Sequence, residues 1–187
     1  MALSRLRQAG SSALEAYERG VLDRMVLAAV RVAVALLWIG QVSWKIPPHF
    51  GEGAAEGDPD DLYQWTSHAV DDPVFAPYSW VVEHLVLPNF AVFGWLVLLA
   101  ESALGAFLLI GLATRFWAVV GVAQSLAIML SVGNAPGEWI WTYVLMMLLH
   151  AAIFAAAAGR CYGLDGVLRP RWRSTGSRTS RLLEVAS

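Results

Sequence analysis

Four apolar stretches of about twenty residues each dominate the sequence, at residues 25–45, 90–111, 116–132 and 139–158. A helix needs about 20 apolar residues to cross the hydrocarbon core of a bilayer, and lipid offers the backbone no hydrogen-bond partners. Short links between the last three stretches force consecutive helices to be antiparallel neighbours. The pattern therefore predicts an all-α fold: an integral membrane four-helix bundle with a long outer loop between helices 1 and 2.

Composition agrees with a membrane protein. Hydrophobic residues make up 57% of the chain and charged residues 15%, whereas soluble domains usually carry about 25% charged residues. Cys161 is the single cysteine, so the chain cannot form an internal disulfide. This excludes membrane oxidoreductases that work through paired cysteines on their own helices. No nucleic-acid partner is expected.

The distribution of charge predicts the topology. All of the thirteen basic residues except Arg31 and Lys45 precede the first stretch, lie in the turn after the second, or follow the fourth. Loops rich in Arg and Lys stay in the cytoplasm. We therefore expect a multi-pass protein of the cell membrane with both termini cytoplasmic. The expected parts are a cytoplasmic amphipathic segment at 1–24, a transmembrane domain at 25–168 and a basic, disordered cytoplasmic tail at 169–187.

Glu101 lies in the middle of the second apolar stretch. An ionisable group at that depth costs several kcal/mol or more unless it is paired, so it has either a structural partner or a function. Counted from the inner end of each stretch, three other polar side chains fall at a similar depth: Arg31, Gln124 and His150. One interpretation is a buried Arg31–Glu101 ion pair that orients two helices. The other is a proton-coupled or quinone-facing catalytic site of Glu101, Arg31 and His150.

Two tryptophans inside the stretches, Trp38 and Trp95, are candidates to line a pocket for a flat apolar ring together with Gln124, and core filling is the alternative. His150 has no second histidine at matched depth, because His49, His68 and His84 all lie in the long outer connection. Haem is therefore not expected, and the histidine spacing does not match a metal site. We expect no haem, flavin or metal in this chain, and a quinone as the candidate cofactor.

Several blocks, in this order, resemble the DoxX/DoxD membrane proteins from about residue 24 to residue 169. They are Arg31 followed by LLWIGQVSWKIPP, then PYSWVVEHLVLPNF, FGWLVLLAESALGAFLLIGLATR, LSVGNAPGEWIWTYVLMMLLH and GRCYGLDGVLR. The most specific block runs from Glu101 to Arg115, because it joins an intramembrane acid to a short basic turn. The chain most resembles DoxD-like small subunits of thiosulfate:quinone oxidoreductase.

The resemblance implies a four-helix membrane subunit that works beside a second oxidoreductase subunit, with thiosulfate oxidised to tetrathionate and electrons passed to the quinone pool. It also implies that four polar positions matter: Arg31, Lys45, Glu101 and, in the cytoplasmic turn, Arg115. The enzyme would be a thiosulfate dehydrogenase that uses quinone.

Three functional hypotheses follow. In the first, Glu101 exchanges protons with a quinone, Arg31 is its counter-charge, and an outer face binds the sulfur donor or a partner subunit; that face comprises Lys45, Trp44, Glu83 and His84. In the second, the chain is a non-catalytic scaffold or anchor that recruits a soluble redox partner. The third is a small proton-coupled carrier. Membrane lipid and a second copy of the chain are further expected partners.

Overall fold

A computed structural model describes residues 2–51 and 62–187, with side chains from residue 17 onward, and the described residues are helical with no strand. The first helix, α1, runs from Ala2 to Gly40 without interruption. No proline occurs in this range, so nothing removes a backbone hydrogen bond between the expected surface segment at 1–24 and the first apolar stretch. The two parts therefore form one helix.

The outer connection is more ordered than the predicted long loop. Its first part lies largely outside the described residues, but α2 covers Leu62–Asp71 and α3 covers Ala76–Val81. A π-helical turn, Val82–Val86, and a 3-10 turn lead from α3 directly into α4, Phe90–Ile110. Pro88 lies in the 3-10 turn, where its missing N–H disturbs the α-helical pattern without ending the helical path. Residues 76–89 are therefore a helical extension of α4.

The remaining long helices are α5, Thr114–Val132, and α6, Ile140–Ala156. Helix α1 packs along α4, and α5 packs along α6, while contacts between α4 and α5 and between α1 and α6 join the two pairs. Helix α2 lies against α5, α4 and the π-helical turn. The central apolar cluster combines side chains from all four long helices and the turn after α6: Val34, Ala35, Trp38, Leu104, Leu108, Ala118, Ile153 and Ala158.

After α6, a 3-10 turn at Ala158–Arg160 leads into α7, Leu164–Thr175, and α8, Arg178–Ala186. The expectation of a disordered tail at 169–187 is therefore not met. Helix α8 packs against α7, and Glu184 accepts hydrogen bonds from Arg173 at 2.6 Å and Arg169 at 3.4 Å. These contacts hold the two helices as a hairpin, which we call the C-terminal hairpin.

Within the part of the chain that the structure describes, two helices are long and apolar enough to cross a membrane, Ala76–Ile110 and Thr114–Val132. A third, Ile140–Ala156, is apolar but shorter. The sequence prediction of an all-α fold is confirmed.

Candidate functional site

The buried polar site consists of three side chains on three different elements, which we call the Lys45 triad: Lys45, Glu101 and Gln124. Lys45 Nζ lies 2.6 Å from Glu101 Oε2, and the two side chains are only 3% and 2% exposed. Gln124 Nε2 donates to Glu101 Oε1 at 3.0 Å. Both carboxylate oxygens of Glu101 are thus engaged. A carboxylate in apolar surroundings stays charged only with such partners. Lys45 supplies the opposite charge and Gln124 supplies a hydrogen bond.

Lys45 reaches this site from the turn that follows α1. Its Nζ also donates to the carbonyl oxygen of Gln41 at 2.8 Å, close to the carboxyl end of α1, where the helix dipole favours a cation. The same ammonium lies 4.2 Å from the centre of the Trp44 ring. Lys45 is therefore a buried counter-charge rather than part of an exposed outer face.

The expected Arg31–Glu101 pair is wrong. Arg31 Nη1 donates to the carbonyl oxygens of Leu108 and Leu109 at 2.5 and 2.9 Å, at the end of α4. Helices α1 and α4 are antiparallel neighbours, and Glu101 lies seven residues before Leu108, which is about 10 Å along the axis at 1.5 Å per residue. Arg31 instead donates to carbonyl oxygens in the last turn of α4, where few N–H groups of the helix remain to pair with them. The Leu108 oxygen also accepts from the Gly111 N–H at 3.2 Å.

His150 lies beside Trp38 rather than beside Glu101. Trp38 Nε1 is 2.9 Å from His150 Nε2, and His150 Nδ1 is 2.7 Å from the Met146 carbonyl oxygen. An indole N–H can only donate, so Nε2 accepts and the ring carries its proton on Nδ1. Both rings are buried. One ring nitrogen of His150 thus connects α6 to α1, and the other bonds within α6. Trp38 fills core space instead of lining an open pocket.

The other predicted residues are separated from the triad. Trp95 is 43% exposed on the side of α4 and packs edge-on against Phe50, with ring centres 5.6 Å apart. Glu83 and His84 are exposed beside each other in the π-helical turn. Arg115 donates to the Phe154 carbonyl oxygen at 3.2 Å and lies 5.1 Å from that ring. The predicted outer face that joined Lys45 to Glu83 and His84 is therefore not formed.

Sequence reasoning missed Asp165, which is fully buried between helix ends. Its Oδ1 accepts from the Ala113 N–H at 2.7 Å and its Oδ2 from the Thr114 N–H at 2.9 Å, at the start of α5. The Asp165 N–H donates to the Gly111 carbonyl oxygen at 2.9 Å. One signal was available, because Asp165 is an acid inside an otherwise basic part of the sequence.

Arg31 and Asp165 both connect the α4–α5 turn to the chain that follows α6. Arg31 Nη2 lies 3.4 Å from the Tyr162 carbonyl oxygen, so it contacts the same connection that carries Asp165. Gly111 adopts a left-handed conformation, with φ of +67°, and a Cβ there would overlap Arg31 and Gly163. A glycine is needed at that turn both for its conformation and for the close approach.

Among the residues that the structure describes, no group of three or more His, Cys, Asp or Glu side chains could hold a metal ion. The Lys45 triad instead offers a carboxylate with an ammonium at 2.6 Å and an amide at 3.0 Å. Such a set can bind a polar ligand oxygen or exchange a proton with it.

Residues 75–185 match a protein-family model described as "TQO small subunit DoxD". The chain belongs to the DoxD family. The match contains Glu101, Gln124, His150 and Asp165, whereas Lys45 and the whole of α1 precede it. The resemblance to DoxD proteins inferred from sequence blocks is therefore confirmed. No curated protein and no solved structure matches the chain.

Proposed function

We propose that this DoxD-family chain is the membrane subunit of a thiosulfate:quinone oxidoreductase. In this proposal α1, α4, α5 and α6 cross the bilayer as a four-helix bundle, with both chain termini in the cytoplasm. The observation that carries the proposal is the Lys45 triad, an ion pair with an attached amide enclosed by apolar helices. Ionisable groups at such depth are costly and usually functional.

The outer surfaces of the long helices support the membrane placement. Large apolar side chains on α4 and α6 point away from the protein, and examples more than half exposed are Val92, Leu96, Leu99, Leu145 and Leu148. A soluble monomer rarely exposes a continuous apolar surface of this kind. In lipid the same surface needs no other cover. The basic residues gathered near the chain ends agree with cytoplasmic termini.

In the proposed reaction, two thiosulfate ions join to give one tetrathionate and two electrons, and a quinone takes up two electrons and two protons. We assign to this chain the handling of protons rather than the sulfur chemistry. Lys45 Nζ would donate one proton to a quinone oxygen. The Glu101 carboxylate, 2.6 Å away, would then take up a proton from the outer side and pass it to Nζ, and a second such transfer would supply the second proton. Gln124 would hold the Glu101 carboxyl in place through Oε1.

The quinone would approach from the lipid side. Of the two tryptophans predicted to line a pocket, Trp95 is the one available for a ring contact, because it is partly exposed on α4 whereas Trp38 is enclosed in the core. Within the triad, Lys45 and Glu101 are almost fully buried and Gln124 is half-buried, so a quinone oxygen reaches the ion pair only when neighbouring side chains shift. Protons would come from the outer side, where Trp44 is partly exposed and hydrogen-bonded to Gln41.

The family description as a small subunit supports a second oxidoreductase subunit as the partner. This partner would bind thiosulfate, because the described outer part of the chain offers the sulfur anion little positive charge. Lys45 is the basic residue nearest to this outer part, and it is buried and already paired with Glu101. The exposed turn containing Glu83 and His84, with Trp80 stacked on His84 at 4.8 Å between ring centres, is the candidate contact surface.

A second candidate is a non-catalytic membrane anchor for a soluble redox partner. The observation that favours it is the completeness of the polar contacts: Glu101 is neutralised by Lys45, and both ring nitrogens of His150 are occupied. In this alternative the triad only orients the helices. Removing its charges while retaining the fold would then leave function intact.

Native mass spectrometry of the tagged chain, gently extracted from its own membranes, tests the proposal. We expect a protein partner and an adduct of quinone mass, with the adduct lost in the double variant K45M/E101Q. The variant W38F is the control for packing, because Trp38 is not part of the triad. A reproducible protein partner without any quinone adduct, unchanged by K45M/E101Q, would favour the anchor.

A further inference from the structure

Helix α8 presents one exposed stripe that combines basic and apolar side chains. Arg178, Arg181, Leu182 and Val185 follow the spacing i, i+3, i+4, i+7 and therefore share a face. All four are exposed, Leu182 to 72% and Val185 to 73%. The opposite side of the helix packs on α7, where Ser180 is buried. Nothing within the described chain covers the stripe.

The start of α7 carries a second exposed apolar surface, beside the apolar helices. Tyr162, Leu164 and Val167 are exposed apolar residues in and just before its first turn. Together with Ile110, the last residue of α4, they line an open groove of about 370 Å³. Arg160 lies in the same groove, and its Nη2 donates to the carbonyl oxygen of Ser187 at 2.9 Å. The apolar side chains at the start of the hairpin thus lie beside the end of α4.

The charge of this surface is strongly positive. Glu184, the acid of α8, is turned inward and bonded to Arg173 and Arg169, and Asp165 is buried against α5. Arg171, Arg178 and Arg181 are exposed, and they form no ion pair within the described part of the chain. An amphipathic helix with this combination of Arg and large apolar residues is typical of one that lies in a membrane interface.

We infer that the C-terminal hairpin lies on the cytoplasmic leaflet and binds anionic phospholipid headgroups, with Leu182 and Val185 in the acyl boundary and Arg178 and Arg181 at the phosphates. The inference rests on the membrane placement proposed above. A lipid surface is favoured over an acidic protein because the groove joins the hairpin's apolar side chains to Ile110, at the expected edge of the hydrocarbon. The fraction of molecules with a docked hairpin would thereby depend on the anionic lipid content of the membrane.

The experiment uses the full chain in nanodiscs of neutral phosphatidylcholine or of a mixture with phosphatidylglycerol. In a C161S background, L182C reports on the stripe, and T179C is the control, exposed on the same helix but outside the stripe. The rate of reaction with a water-soluble maleimide measures how often each thiol leaves the lipid. We expect slow modification of L182C in anionic discs only, and faster modification at high salt.

Charge variants sharpen the test. Each basic residue near an anionic surface increases the docked-to-free ratio about five-fold, so R178Q/R181Q should lower it roughly 25-fold. The matched variant R178K/R181K keeps the charge and should keep L182C protected. Equal modification rates in neutral and anionic discs, or loss of protection in R178K/R181K, would overturn the inference. Failure of the chain to enter nanodiscs of either composition would overturn the membrane placement, and the inference with it.

Discussion

At the scale of single residues, the structure pairs Glu101 with Lys45 rather than with the more deeply placed Arg31. Lys45 lies beyond the end of α1, and its long side chain returns to the carboxylate. Arg31, with a planar group that donates in several directions, suits the carbonyl oxygens at the end of α4 better than a single acceptor. The two cations therefore have different roles. Lys45 neutralises Glu101 in the triad, and Arg31 donates to carbonyl oxygens at the end of α4.

The triad allows a test of its energetic role. Single variants E101Q and K45M each leave one buried charge without its partner, and we expect each to lower the free energy of unfolding by about 3–5 kcal/mol. The double variant K45M/E101Q should lose far less, because no unpaired charge remains and the amide oxygen introduced by E101Q can still accept from Gln124. Denaturant titration in detergent measures this cycle. Additive losses would mean that the two side chains do not interact.

The same double variant separates the two functional candidates. If the triad handles protons, membranes containing folded K45M/E101Q together with the native partner should lose thiosulfate-dependent quinone reduction by about 100-fold or more, the usual range for loss of general acid–base catalysis. If the chain is an anchor, the rate should match that of wild type. The variant W38F controls for a general effect of altered packing.

Gly121 is a residue-scale constraint on the contact between α5 and α6. A Cβ at this position would overlap the His150 ring, whereas a Cβ at Gly20, on α1, would meet nothing within 4 Å. We expect G121A to destabilise the protein by about 1–3 kcal/mol through overpacking. The cost of G121A should be smaller in an H150A background, because the overlapping ring is then absent. G20A, the matched control, should be neutral or slightly stabilising; a similar loss in G20A would contradict the packing explanation.

At the scale of elements, the end of α4 and the start of α5 are held by side chains from other helices, Arg31 and Asp165, rather than by capping side chains of their own. The residue before α5, Ala113, provides no capping side chain, and Asp165 takes that place from the start of α7. A carboxylate at a helix amino terminus is favoured both by hydrogen bonding and by the helix dipole. The connection after α6 is thus attached to the α4–α5 turn.

Asp165 should therefore stabilise the start of α5 from a distance in sequence. We expect D165N to lower the free energy of unfolding by about 1–3 kcal/mol, since charged hydrogen bonds contribute more than neutral ones. Hydrogen exchange should accelerate at the Ala113 and Thr114 amides in particular. D23N, which alters an exposed acid on α1, is the control. Unchanged exchange at those two amides would exclude the capping role.

The C-terminal hairpin should depend on pH through Glu184. The hydrogen bond from Arg173 holds the pKa of Glu184 below its ordinary value of 4.5. The stabilisation is therefore complete above that ordinary value and is lost as pH falls through the lower folded-state pKa. Pulsed-EPR distances between labels at V167C and L182C, in a C161S background in detergent, should be narrow at pH 6 and broad at pH 3. In E184Q they should be broad at both pH values; a narrow distribution there would contradict this role.

At the scale of the whole molecule, helix packing and charge distribution predict opposite sides of the membrane for the two ends of the long helices. In a C161S background, a membrane-impermeant maleimide added to intact cells should modify E83C but not L182C. After the membrane is disrupted, both should react. Modification of L182C in intact cells would place the hairpin outside and contradict the proposed topology.

The sequence by itself determined the helical class, the ends of the last three long helices to within a few residues, the DoxD family and the positions of the polar residues within the apolar segments. These features depend on local composition and periodicity, which a linear pattern records directly. The family blocks carried further information for the same reason, because short motifs in a fixed order need no knowledge of spatial contacts.

Only the tertiary structure decided which polar groups meet. Depth counted along each stretch placed Arg31 level with Glu101. The actual shift of α1 along α4, however, depends on how the side chains of the two helices pack. A sequence also does not show how far the flexible side chain of Lys45 extends. The separation of His150 from the triad, the capping by Asp165 and the folding of the tail into a hairpin have the same origin. Each requires contacts between residues distant in the chain, and packing of whole helices selects those contacts.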